Sequence, residues 1–385
     1  MNGKNLHQIF RQYIDNFDYV NCTEHREYYK WQICEQFPAL MQKALSVTPD
    51  NFVSALNDVR KCTCNIIDSY TQPMAGLVEM AKHNKGEDIE QVRQILKDLY
   101  TDDGGDLKVR AEIIANFISR CDELMNKHFP GSFRYKQNSH SVSSLLFLND
   151  PDHHYMFKAS HCQDFADCVE FYDSWGAGDS IKLDVFHRMC DELMDAIKGC
   201  PELLEIDASR FDGRLKLVGG PLHPDKEKHI LAFDIIYCCS TYSLYSKVSY
   251  TKRNSKEKEL YGAMRIKAEK LLHEYEEVVA ENEKLQEALN YVSKAFVVGD
   301  TVNHAKFGKG TVKSIDGIYM VADYPEKEVR GSIPVMIANG LLKSGREEFA
   351  AQTEVYRNIL KKYDSIPKRL DYAAKVLEPY TQYLE

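Results

Sequence analysis

A chain of 385 residues with 44% apolar and 28% charged side chains is too long for one compact core and too apolar to stay disordered, so it predicts two or three folded units. Its net charge of −9 excludes wholesale coating of nucleic acid, which needs lysines and arginines to displace counterions from phosphates. Eleven cysteines, an odd number, with an amphipathic start (MNGKNLHQIFRQYIDNF) and no apolar stretch of membrane-spanning length, argue against a secreted disulfide scaffold or a membrane span and point to free thiols in the cytoplasm.

From the first residue to about 128, apolar side chains recur at helical spacing: Leu6, Ile9, Tyr13 and Phe17, then Trp31, Cys34, Phe37 and Met41, then Phe52, Leu56 and Val59. Ile89, Val92, Ile95 and Leu99 continue the pattern, residues 101–106 with Gly104 and Gly105 break it, and Ile113 to Leu124 restore it. Five helices are expected. The texture changes at Pro130, where FPGSFRYKQ and SVSSLLFLNDPDHHYMFKAS predict strands, with Asn149-Asp150-Pro151-Asp152 as a hairpin turn. Ser160 is expected to cap a helix holding Phe165, Cys168 and Val169. Beyond a glycine turn at Gly176 and Gly178, Val185, Phe186, Met189, Leu193 and Ile197 mark another helix. With KHILAFDIIYCCSTYSLY closing it, the stretch 130–250 predicts a mixed α+β domain.

This succession of a strand, a proline turn, YMFK, an aromatic helix and HILAFDIIY is similar to the region that precedes the motor in McrB-type restriction ATPases. The resemblance implies a target-recognition or adaptor module without the motor.

Residues 255–296 follow heptads. Met264, Leu271, Val278, Leu285 and Val292 fall at one core position, and Tyr261, Ala268, Tyr275, Asn282, Leu289 and Phe296 at the other. A 3.5-residue repeat holds one stripe against a partner helix, and a lone core asparagine sets register. A coiled coil between two copies is the expectation, with pairing inside the chain, against its C-terminal helices, as the alternative. Basic residues gather where this helix begins: Lys247, Lys252, Arg253, Lys256 and Lys258 are the candidate phosphate contacts, against a solvated helix start as the plainer reading.

VVGDTVNHAKFGKGTVKSIDGIYMVADYPEKEVRGSIP is rich in β-branched residues and punctuated by glycines, with turns at 307–310 and at Asp316-Gly317. A barrel of about five short strands follows. Val302, His304, Phe307, Gly308, Gly310 and Val312 resemble the V-x-H-x-x-F-G-x-G-x-V signature of the Tudor-like barrel that ends UvrD-type helicases. The resemblance implies a protein-interaction or nucleic-acid-adjacent module. From Arg346 on, two helices separated at Pro367 are expected.

The expected fold class is therefore multi-domain α+β: a helical domain (1–128), an α+β domain (130–250), a coiled-coil helix (255–296), a small SH3/Tudor-like barrel (297–343) and C-terminal helices (346–385). No G-x-x-x-x-G-K-[ST] loop, acid-x-Lys nuclease pattern, G-x-S-x-G elbow or C-x-x-C pair occurs. His153, His154, His161, Cys162 and Cys168 are the densest group of zinc-type donors, at a spacing that matches no standard finger; buried, non-ligating side chains are the alternative. Paired Cys62 and Cys64 fall on different helix faces. The sum is a non-enzymatic adaptor without cofactor that binds a protein partner, with nucleic acid as a second ligand and a homodimer through 255–296, in bacterial defence or DNA metabolism. The rival is a metal-dependent enzyme with its site in the α+β domain.

Overall fold

The structure is a computed structural model that describes residues 1–384 except 64–65, 69–70, 84–86, 178–179, 214 and 216–218; Cys64 and Gly178 lie outside the described residues. It is mixed α+β and mostly helical, with two compact units, Met1–Glu259 and Leu260–Glu385. Among the described residues no helix is long and apolar enough to cross a membrane.

Among its described residues the regular structure of the first unit is helical apart from a pair of two-residue strands, β1 (Gly176–Ala177) and β2 (Ser180–Ile181). Among the described residues of 1–128 there are seven helical segments rather than five, because Phe17–Val20 forms a short turn of its own and Pro73–Lys82 is a separate helix. Local capping sets the starts: Asn2 accepts the Asn5 N–H at 3.0 Å ahead of Gly3–Asp15, and Asp106 accepts the Lys108 N–H at 2.8 Å ahead of Leu107–His128. One hydrophobic core runs from Leu6 to Val248, so residues 1–128 and 130–250 are packed around common apolar contacts.

The hairpin expected around 130–160 is not present; Ser139–Asn149 is a helix. A capping box starts it: Asn138 Oδ1 accepts the Ser141 N–H at 2.9 Å while Ser141 Oγ accepts the Asn138 N–H at 3.0 Å. Val142, Leu145, Leu146, Phe147 and Leu148 are all buried, so the helix is covered on every side and its sequence lacks a one-faced period. A short apolar run of that kind does not distinguish strand from helix. The same holds for HILAFDIIYCCST, a strand-like run that forms the buried helix His229–Thr241. Ser160 lies inside the Ala159–Cys168 helix and not at its cap, which is Lys158.

In the second unit five strands form one antiparallel sheet: β3 (Thr301–His304), β4 (Gly308–Asp316), β5 (Tyr319–Asp323), β6 (Glu328–Ser332) and β7 (Leu342–Ser344), in the order β6-β5-β4-β3-β7. Gly308 turns from β3 to β4 at φ +72°, and Gly317 turns from β4 to β5 at φ +57°. A short helix, Ile333–Ala338, precedes β7. The Ser255–Lys294 helix supplies Leu285, Ala288 and Val292 to the core under the sheet. Two C-terminal helices, Glu347–Leu360 and Ser365–Leu377, close the unit; they part at residues 361–364, and Pro367 sits in the first turn of the second, where a missing N–H costs nothing.

Candidate functional site

The five residues considered as metal donors do not meet. His153 is 77% exposed and bonds to Asp150 at 2.9 Å. His161 lies flat on the Tyr237 ring, centroids 4.9 Å apart, with Nε2 at 3.2 Å from Thr241 Oγ1. Cys162 and Cys168 are buried, and burial pushes both thiols up to about 12. Among the described residues no set of three donor atoms lying within 4.8 Å of one another includes any of the five.

The basic stripe is partly neutralised. Arg253 Nη1 lies 2.6 Å from Glu170 Oε1 and donates to the Tyr172 hydroxyl at 2.8 Å, while Lys258 Nζ lies 2.6 Å from Asp167. Lys247, Lys252 and Lys256 stay exposed. The heptad stripe is occupied from within the chain. Met264, Leu271, Asn282 and Leu289 are half-buried, and Val278, Leu285 and Val292 are buried. The C-terminal segment supplies the cover: Tyr291 rings pack on Phe349 and Tyr356, Glu281 holds Lys362 at 3.1 Å and Arg369 at 2.6 Å, and Tyr261 meets Tyr383 at 5.1 Å. The stripe expected to join two copies is thus contacted by the chain's own C-terminal segment, as in the alternative pairing.

The signature residues of 302–312 shape the small sheet. Val302 and Val312 are buried in its core, and His304 Nδ1 accepts the Lys306 N–H at 3.1 Å while its ring stacks on Phe307 at 4.6 Å. Gly308 supplies the positive φ of the turn. Gly310 admits the Tyr324 ring, since a Cβ there would lie 2.5 Å from Tyr324 Cδ1.

Two polar constellations were not legible in the sequence. The first is a buried ion network at the centre of the first unit. Lys30 Nζ contacts Asp234 and lies 2.8 Å from Glu27; Arg210 lies 3.3 Å from Asp234 and 3.0 Å from Asp207, over the Trp31 ring at 3.9 Å; Lys228 reaches Asp207 at 2.9 Å. Tyr13 donates to Asp234 as well. Burial opposes the Lys30 charge, but Asp234, Cys238 and Glu27 outweigh it and hold its pKa well above the usual value. Glu27, Asp234 and Cys238 have donor atoms close enough for a cation, and the Lys30 ammonium already fills that role, bonding both carboxylates with Cys238 Sγ at 4.0 Å. Three cations against three carboxylates make this a neutral structural core.

The second is a cleft walled by the helices Leu107–His128, Ser139–Asn149 and Leu183–Lys198 and by residues 149–157. An apolar chamber of about 170 Å³, lined by Ile114, Phe157, Leu183 and Phe186 and open to solvent beside Ala111 and Ala115, adjoins a polar mouth of about 560 Å³. Arg110, Leu146, His154 and His187 line both. The loop 101–106 builds the near rim: Asp102 and Asp103 accept the N–H groups of Gly104 and Gly105 at 2.9 and 2.8 Å, and Asp103 holds Arg110, which also donates to the carbonyls of Leu99 and Thr101. Burial raises Asp103, but the Gly105 N–H and Arg110 outweigh it and keep the carboxyl below its usual range. On the far rim Tyr155 donates to Asp191 at 2.8 Å and stacks near His187 and His229. Burial, then the Arg110 charge, pushes His154 down to about 4; burial lowers His187 and His229 as well, so all three are neutral imidazoles at pH 7. Of the residues expected to bind, only His153 and His154 belong to this cleft. The signal available in the sequence was the Asp-Gly density of TDDGGD, which there marked only a helix break.

Comparison of the chain with protein-family models, with curated proteins and with solved structures yields no match.

Proposed function

We propose that this chain is a non-enzymatic adaptor that docks on a protein partner through the unit Leu260–Glu385. The observation that carries the reading is the distribution of exposed apolar side chains. Of the thirteen large ones among the described residues, nine lie in this third of the chain: Leu260, Ile266, Val297, Val298, Tyr319, Val335, Leu341, Val355 and Tyr372. Exposed apolar side chains mark a contact surface where they adjoin, as Val297 and Val298 do along the chain. Tyr319 pairs in register with Ser332, which leads directly into the helix carrying Val335, so these two flank one end of the sheet.

A small SH3/Tudor-like barrel is the finer reading of the sheet. Its strand order supports it: the last strand returns beside the first, after a short helix, and the six signature residues occupy the core and the first turn. The reading includes a setting beside nucleic-acid enzymes, as in the helicases whose barrel the signature resembles, and Lys247, Lys252 and Lys256 remain as local phosphate contacts. The rival metal-dependent enzyme draws no support from the dispersed His153, His154, His161, Cys162 and Cys168.

The test is site-directed photocrosslinking of the full chain in its own cells. A benzophenone side chain at Tyr319 or Val335 is expected to capture the same discrete protein, and one at Phe133, 83% exposed in the first unit, to capture none of it. Equal labelling at Phe133, or none at the first two positions, overturns the reading.

A further inference from the structure

We propose that the cleft at Arg110 and His154 binds a small organic ammonium, its single apolar ring in the apolar chamber and its amine at the carboxylate-bearing mouth. The site lies within Met1–Glu259 and is independent of the docking surface above.

Size and lining define the first half of the ligand. The chamber of about 170 Å³ is walled by Ile114, Phe157, Leu183 and Phe186. An apolar cavity of about 150 Å³ accepts benzene, so this space suits one six-membered ring and not a fused or extended system. Arg110, Ser139, Ser143, His154, Tyr155 and His187 also line the chamber, so the ring packs on the apolar part of a mixed wall.

Charge defines the second half. The mouth carries Asp102, Asp103, Asp150 and Asp191. Arg110 is committed to Asp103 and to two backbone carbonyls, and His153 is committed to Asp150. Asp191 accepts the Tyr155 hydroxyl and Asp102 accepts the Gly104 N–H; neither has a cationic partner among the described residues. An anionic ligand would therefore face unneutralised carboxylates and a guanidinium already bonded, while an ammonium meets carboxylate lone pairs that are free. Where the chamber meets the mouth stand His154 and His187, whose ring nitrogens make no hydrogen bond among the described residues. As neutral imidazoles each offers an acceptor to a second ammonium N–H. His187 stands one helical turn before Asp191, so the two act on the same end of a ligand.

Calorimetric titration of the full chain with phenethylammonium, 2-phenylethanol and phenylacetate tests this. The ammonium is expected to bind saturably, the neutral alcohol at least about tenfold more weakly, and the carboxylate not at all, since a charge-assisted bond contributes about tenfold or more. Asp191→Asn keeps the Tyr155 bond but removes the charge and is expected to weaken the ammonium about tenfold. Ala111→Trp and Ala115→Trp, both from exposed positions on the helical lip, are expected to block the chamber while the melting temperature stays unchanged. The proposal is overturned if phenethylammonium shows no saturable binding at millimolar concentration, if phenylacetate binds as well, or if Asp191→Asn and both tryptophan variants leave the affinity where it was.

Discussion

Lys30 shows how much a single side chain can hold in this molecule. Fully buried between Glu27 and Asp234, it neutralises carboxylates that have no water to turn to. Lys30→Met is expected to lower the unfolding free energy by about 3–5 kcal/mol, because Glu27 loses its ammonium and Asp234 keeps only Arg210 as a cation in a dry site. Lys362→Met, which removes an exposed partner of Glu281, is expected to cost less than about 1 kcal/mol. Denaturant titrations of the two variants check the contrast, and similar losses would contradict the network. The histidines set the acid limit. His154 and His161 are pushed down to about 4, chiefly by burial, so the unfolded chain takes up their protons first as the pH falls. Their contribution is complete above the ordinary value near 6.5 and is lost as the pH falls through about 4; His153, raised by Asp150, works weakly the other way. The urea midpoint is expected to drop between pH 7 and 5, less steeply in His154→Gln; an unchanged slope would remove His154 from the account. None of these pairings was legible in the sequence, because Lys30 and Asp234 are 204 positions apart and only the fold joins them.

Legibility at the scale of elements followed the local signal. Turn glycines carried the small sheet: Gly308 and Gly317 adopt the positive φ their turns need, and Gly310 leaves the room that Tyr324 fills. Gly310→Ala is accordingly expected to destabilise the chain by about 1–3 kcal/mol through overpacking, measured by thermal melting. A cost below about 0.5 kcal/mol would mean the ring moves aside freely. Helices with one apolar face were legible as well, since Leu6, Ile9 and Tyr13 repeat at the period that their burial requires. Ser139–Asn149 and His229–Thr241 were not, because helices buried on all sides write no period into the sequence. For the heptads the pattern was plain but the partner was not: a stripe records that something covers it, not which chain supplies the cover. The bundle formed with Glu347–Leu360 and Ser365–Leu377 predicts a single chain in sedimentation at micromolar concentration. A dimer that dissociates on Leu271→Glu would show instead that a second copy takes the seam. Leu285→Ala, at a fully buried position of that seam, is expected to cost about 2–5 kcal/mol.

The whole molecule keeps its charge and its apolar exposure in different places. A net charge of −9, with Arg253 and Lys258 already paired to carboxylates, leaves Lys247, Lys252 and Lys256 as the accessible remainder of the basic stripe. Three phosphate contacts give a log–log salt slope no steeper than about −3, and a much steeper slope would place a nucleic-acid surface elsewhere. The cleft, with its acidic mouth, belongs to the first unit, while most exposed apolar side chains belong to the second. That division was invisible in composition, which averages over both units, and the absence of catalytic motifs described only what the chain lacks. Hydrogen exchange of the full chain, alone and with the partner captured at Val335, tests docking through Leu260–Glu385 most directly. Partner-dependent protection is expected at residues 318–320 and 333–341; protection confined to residues 1–259 would contradict the account.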